Sequence, residues 1–158
     1  MAASESRRRK ARQRPRVQVA LRVAAPGAAH AARVLRTAAR EQLARLRLAE
    51  VSLSLVTDRE MRALNRKWRL KDSPTDVLSF PMPPVGDVVI SLDTARRQAR
   101  EGGWPLAAEL RRLLAHGLLH CLGYDHQRPA AARRMARAEE RLLGREGMVG
   151  SLLNKFTP

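Results

Sequence analysis

His116-Gly-Leu-Leu-His-Cys-Leu-Gly-Tyr-Asp-His126 gathers three of the chain's four histidines into eleven residues. On a helix, the i, i+4 spacing of His116 and His120 puts both imidazoles on one face, about 40° apart in projection. Two such rings suit two ligands of one ion. Leu106, Leu110, Leu113, Gly117 and Cys121 form an apolar stripe beside them. The histidines therefore flank the core side of this helix instead of filling it. Pro105 suits its first position and the helix is expected to run to Gly123, where a left-handed glycine ends it. Tyr124-Asp125 then bring His126 back toward the axis. A lone histidine reads as a packing or capping residue. Three at this spacing read as ligands of one Zn²⁺ per chain, with a fourth, open position for water. Cys121, one step past His120, points about 100° away and belongs to the core.

The same spacing is that of the metzincin zinc motif, H-E-x-x-H-x-x-G-x-x-H, with one departure. Gly117 stands where those peptidases carry the Glu that serves as general base. A site of this kind keeps its metal and loses peptidase proton transfer.

Working outward, Val17, Val19, Leu21 and Val23 alternate as in a half-buried strand. Residues 28–49 carry Ala, Leu and Arg at helical spacing, and Val51, Leu53 and Leu55 alternate again. Thr57 and Glu60 form a capping-box signature for a helix to about Trp68. Val77–Phe80, between Pro74 and Pro81, and Val88–Ile90, introduced by Gly86, are two more strands. A helix from about Asp93 stops at Gly102-Gly103, and a last helix covers about 129–143. Four strands interleaved with five helices predict an α/β (α+β) fold in a single domain over 17–147. Residues 148–158 are expected to be a C-terminal tail.

Composition narrows the function. The chain has 158 residues, 44% hydrophobic and 3% aromatic, so the core is built from Leu, Val, Ala and Met. There are 31 Lys+Arg against 15 Asp+Glu, for a net charge of +16. That excess favours a polyanionic partner, although a biased genome would also inflate Arg and Ala. Residues 1–16 hold seven basic side chains and one acid and read as a disordered basic tail. Such a block fits an anion-seeking arm, a solvated tail without a role, or, being Arg-rich and acid-poor, an organelle transit peptide. Cys121 is the single cysteine, which excludes an intramolecular disulfide and a Cys-rich zinc site and fits a reducing compartment. No run of about 18 apolar residues suggests a membrane span. No apolar segment follows the basic start as in a secretory signal. The expectation is a cytoplasmic protein with no membrane partner.

The histidine stretch resembles the signature of the YbeY-type endoribonucleases. Leu64-Asn65, Trp68-Arg69 and Asp72-Ser-Pro-Thr-Asp-Val-Leu-Ser-Phe-Pro81 form a second matching block, and Gly86-Asp-Val-Val-Ile-Ser91 a third. The resemblance spans about residues 50–145, with a shortened segment between Phe80 and Gly86. It implies a small domain with a mixed four-stranded sheet and the zinc helix packed on it. It also implies metal-dependent cleavage of single-stranded RNA, in 3′-end maturation of small-subunit (16S) ribosomal RNA and in ribosome quality control. The partners would be rRNA and the small ribosomal subunit, with no DNA. The family's zinc ligands match His116, His120 and His126, and its catalytic arginine matches Arg69.

That role for Arg69 has a physical basis. A phosphate under attack gains negative charge, and a guanidinium fork aimed at its oxygens stabilises it. With Gly117 in place of a base, Asp125 is a candidate either for that duty or for orienting a ligand histidine. A turn residue bonding its own backbone is the plainer reading of Asp125. Thr75 and Asp76 fit structural roles at the start of a strand. A competing function is a ribosome-assembly RNA-binding factor whose zinc is mainly structural, and which tolerates loss of Arg69. A metal hydrolase of another substrate is a third.

Overall fold

A computed structural model describes residues 16–144. The tails expected over 1–16 and 148–158 lie outside the described residues, save Arg16. In chain order the elements are β1 (Gln18–Val23), α1 (Ala29–Leu46), β2 (Glu50–Val56), α2 (Asp58–Arg69), β3 (Val77–Met82), β4 (Val85–Ser91), α3 (Leu92–Gly102), α4 (Leu106–Cys121) and α5 (Pro129–Leu143). The sheet has the order β1-β2-β4-β3. β1, β2 and β4 run parallel, and β3 joins β4 antiparallel. This is the α/β fold of four strands and five helices that the sequence predicts, with the mixed sheet that the family resemblance implies.

The alternation of the strands decides what each face meets. Val51, Leu53, Leu55, Val88 and Ile90 point to one side, where they form a core with Leu35 and Leu43 of α1 and Leu110, Leu113, Leu114 and Leu118 of α4. On the other side Val56, Leu78 and Val89 take Met61 of α2, with Leu64 and Phe80 packed alongside. Behind α4, Ala115 and Leu119 meet Met135, Ala138 and Leu142 of α5. Thus α4 is enclosed by sheet, α1 and α5, and its buried surface is much wider than the single stripe expected.

Three local readings are corrected. Pro105 is the residue before α4, at φ −63° and ψ 145°, not its first helical residue. The helix ends at Cys121 instead of reaching Gly123. Pro81 lies inside β3, where it costs little because β3 is an edge strand and needs no amide on its outer side. The segment after Phe80 ends in a tight connection through Pro83-Pro84 between β3 and β4.

α2 begins as its sequence predicts, with Thr57 Oγ1 accepting from the Glu60 amide at 3.3 Å. Glu60 does not complete the capping box; its carboxylate pairs with Arg22 on β1. Asp76 anchors the start of β3. Its carboxylate accepts from the Val77 amide at 2.8 Å and from Gln98 at 3.2 Å, and its carbonyl accepts from the Ser91 amide at 2.9 Å.

Candidate metal centre

The last turn of α4 presents His116 and His120 side by side, with ring centroids 4.6 Å apart. Beyond Leu122 the chain folds back. The Gly123 amide donates to the His120 carbonyl at 3.0 Å and the Tyr124 amide to the Leu119 carbonyl at 3.0 Å. Gly123 sits at φ 93°, a conformation that side chains rarely adopt and glycine adopts freely. The reversal brings the His126 ring to 5.7 Å from His116 and 5.1 Å from His120. One nitrogen from each of the three rings then lies within 4.8 Å of the others. Among the described residues, no cysteine or carboxylate joins this group.

The buried carboxylate of Glu139, on α5, lies 2.6 Å from Nδ1 of His116 and is 2% exposed. A carboxylate accepts, so the ring proton is on Nδ1 and the Nε2 lone pair faces inward. That Nε2 lies 3.0 Å from Nε2 of His120. Burial, then the neighbouring His116 and His126, hold His120 below the ordinary histidine value, which favours the neutral form that can ligate. Metal–nitrogen bonds of about 2.0–2.1 Å at a tetrahedral angle would separate neighbouring nitrogens by roughly 3.3–3.4 Å. The His116–His120 pair, at 3.0 Å, is near that spacing and the third nitrogen lies within 4.8 Å of both, so a set of three imidazole donors is gathered that fits a metal ion.

Gly117 has a steric cause. A Cβ here would lie 2.6 Å from Cγ1 of Val88, 3.2 Å from Cγ2 of Val77 and 3.3 Å from Oγ of Ser79. The backbone of α4 rests directly on β3 and β4. A Glu at this position would be driven into the sheet, so the departure from the peptidase motif belongs to the packing.

Asp125 is exposed, and its Oδ1 accepts from the Gln127 amide at 3.1 Å. The carboxylate that meets a clustered histidine is instead Glu139, which the sequence reading missed. Its signal was faint: an acid at the i+4 position from Met135, beside Ala138 and before Leu142, on the apolar side of α5. Cys121 packs against the main core with Sγ 3.9 Å from the Asp87 carbonyl, and burial first, then Asp87, pushes its thiol up.

Arg69 ends α2 and reaches β3, donating to the Ser79 carbonyl at 2.9 Å. Its guanidinium lies 5.7 Å from the Phe80 ring centre. The hydroxyl of the same Ser79 donates to the Gly117 carbonyl at 3.1 Å. One residue of the edge strand therefore separates Arg69 from the helix that carries His116 and His120.

A family model described as Endoribonuclease YbeY matches residues 21–147. The chain belongs to this family. A Myxococcus xanthus relative named Endoribonuclease YbeY is 55% identical over 155 residues, covering 89% of this chain and 53% of the relative. An Anaeromyxobacter relative of the same name is 57% identical over 142 residues, covering 84% of this chain and 74% of its own length. The chain thus spans about half the first relative and about three quarters of the second. A Thermotoga maritima protein solved in solution shares the fold, with a TM-score of 0.56 at 24% identity over 80% of this chain and 90% of that one. The family match begins well before the motif blocks, within β1. No described helix is long and apolar enough to cross a membrane.

Proposed function

We propose that this chain is a zinc-dependent, single-strand-specific endoribonuclease acting in the cytoplasm on small-subunit ribosomal RNA, in 16S 3′-end maturation and ribosome quality control. The observation that carries the reading is the convergence of His116, His120 and His126, with Glu139 behind one ring and Arg69 one strand away. His116, His120 and His126 hold the ion. When bound, Zn²⁺ supplies Lewis-acid polarisation of the phosphodiester and activation of water at neutral pH. Glu139 fixes the tautomer and direction of His116, as a carboxylate behind a ligating imidazole does. Arg69 spends one donor on Ser79 and keeps others of its five N–H groups for phosphate oxygens. The net charge of +16 draws the polyanion in.

The test is metal content and cleavage of a single-stranded RNA oligonucleotide by the purified full chain, before and after chelation and zinc readdition. The expected result is about one zinc per chain, cleavage lost on chelation and restored by zinc, and loss of both in His120→Ala. Full zinc retention in both His116→Ala and His120→Ala would sink the ligand assignment. Undiminished cleavage by metal-free protein would sink the enzymatic reading.

A further inference from the structure

The face of the sheet turned away from the histidines is only partly covered. Strand register places Ala20, Ser52, Asp87 and Phe80 in one cross-strand row. Arg22, Ser54 and Val89 form the next. The small side chains at 20, 52 and 54 keep the middle of this face low, and α2 covers only the side nearer β3. Between them lies an open groove of about 560 Å³, with Trp68 on one margin and Arg22 on the other.

The groove combines flat apolar walls with a floor of mixed character. Trp68 is 57% exposed and meets Phe80 edge to face, ring centres 6.2 Å apart. Ser52, Ser54 and the exposed Asp87 line the bottom together with Ala20, Leu53 and Val89. Cations stand at the edges. Lys67 Nζ is 4.8 Å from the Trp68 ring centre, Arg69 lies against Phe80, and Arg22 is held in place by Glu60.

We infer that this groove binds one nucleobase of the RNA strand, a base with N–H donors on its Watson–Crick edge, guanine best of all. The inference rests on the reading of the chain as an RNA-cleaving enzyme. Aromatic walls stack a base of any kind. The Asp87 carboxylate accepts only, so it favours the two adjacent N–H groups of guanine and disfavours the carbonyl oxygens that flank the single N–H of uracil. An apolar helix laid in the groove would bury Asp87 and two serines without partners, which is costly. The phosphates on either side of the base face Arg22, Lys67 and Arg69, matching charge with charge. Arg69 also gives continuity with the metal centre. From the end of α2 its guanidinium reaches the edge strand at Ser79, so an RNA strand passing over β3 offers a phosphate to the histidine side and the neighbouring base to the groove.

The experiment is fluorescence anisotropy of full-length protein carrying His120→Ala, which removes cleavage, over a salt series. The probes are single-stranded oligouridylates with and without one central guanosine. The guanosine-containing probe should bind more tightly. Adding Trp68→Ala should weaken its binding about tenfold, the effect of losing one stacking platform, with the log–log salt slope unchanged because no charge is removed. Trp68→Phe should retain most of the affinity. Asp87→Asn should erase the preference for guanosine over uridine. Melting temperatures of all variants near that of the parent would show that the exposed ring is not needed for folding. Unchanged affinity in Trp68→Ala, while the wild-type chain still cleaves RNA, overturns the groove alone and leaves it to a protein partner. Absence of any RNA binding or cleavage by the wild-type chain overturns this inference together with the function on which it rests.

Discussion

The two faces of the sheet are closed in opposite ways. On one, α4 lies so close that even the Cβ of an alanine at Gly117 would press on Val88 and Val77. The histidines at its end are fixed by that contact, by the Gly123 reversal and by Glu139. On the other, α2 leans on Leu78 and Val89 through Met61 and Leu64, and the strands beyond it carry Ala, Ser and Arg. The closed face suits ligands that must hold one geometry. The half-open face suits a flexible chain that must enter and leave. Arg69 belongs to neither core; it ends α2 on the half-open face and its guanidinium reaches the shared edge strand at Ser79.

The sharpest way to break this division is Arg69→Ala. Arg69 is exposed and makes one hydrogen bond to the Ser79 carbonyl, so zinc content and melting temperature should stay near wild type. RNA cleavage should fall by about 10² or more, the usual loss when one transition-state donor is removed. Arg69→Lys should restore little, since an ammonium lacks the fork. Unimpaired turnover in a folded, zinc-loaded Arg69→Ala protein would remove Arg69 from the chemistry.

A second effect lies on the closed face. Glu139→Gln keeps the shape of the side chain and removes its charge. If Glu139 orients His116 for the ion, zinc affinity should drop by about 10- to 100-fold. Competition with a chelating dye measures it directly. Equal affinity in Glu139→Gln and Glu139→Ala to that of wild type would make the carboxylate a packing feature only.

Gly117→Ala probes the contact between α4 and the closed face. Alanine gains about 1 kcal/mol over glycine in helix propensity. Against this, a Cβ 2.6 Å from a β-branched Val88 must push stiff side chains or lift the helix, and overpacking costs about 1–3 kcal/mol. The net expectation is a loss of up to about 2 kcal/mol, with zinc affinity reduced as His116 and His120 shift. Chemical denaturation of the zinc-free protein checks the first part. A more stable Gly117→Ala variant would mean that the sheet gives way easily.

These regions also differ in how far they could be read from sequence. The histidines were legible because a set of three that one helix end and its reversal bring together compresses the signal into eleven residues. α5 was legible too: the helix expected over about 129–143 is observed as Pro129–Leu143. The enclosure of α4 was not, because a periodicity argument assumes one buried face, and Ala115 and Leu119 are buried by a helix that follows later. Glu139 was missed on the same ground. An acid on a helix reads as solvated until a partner 23 residues away claims it. The groove depends on register across three strands and on where α2 stops, and neither is written in any local stretch.

The smallest effect concerns what holds α2 over the half-open face. Asp58, its first residue, accepts from Ser91 and Thr94 hydroxyls at 2.6 Å each through Oδ1 and from Arg97 at 2.8 Å through Oδ2. Partial burial pushes this carboxyl up. The hydrogen bonds from Ser91, Thr94 and Arg97, with the charge of Arg97, outweigh it and hold the group below the usual 3.8. A depressed carboxylate stabilises the fold above its unfolded value, and that stability is lost as pH falls through the folded value. Asp58→Asn can keep an oxygen toward the two hydroxyls and loses mainly the pair with the half-exposed Arg97, about 0–1 kcal/mol. Asp58→Ala strands the buried Ser91 hydroxyl as well, adding about 1–3 kcal/mol. Near neutral pH the order of melting temperatures should therefore be wild type, Asp58→Asn, Asp58→Ala. As pH falls below the usual 3.8 and through the lower native value, the wild-type advantage over Asp58→Asn should shrink toward zero, because the native carboxyl is then being protonated. The gap to Asp58→Ala should persist in part, since a protonated carboxyl still has an oxygen to accept with. Thermal melts of the three proteins across pH 2–7 read both differences, and a wild-type–Asp58→Asn gap that does not change with pH would show that the charge of Asp58 contributes nothing to seating α2.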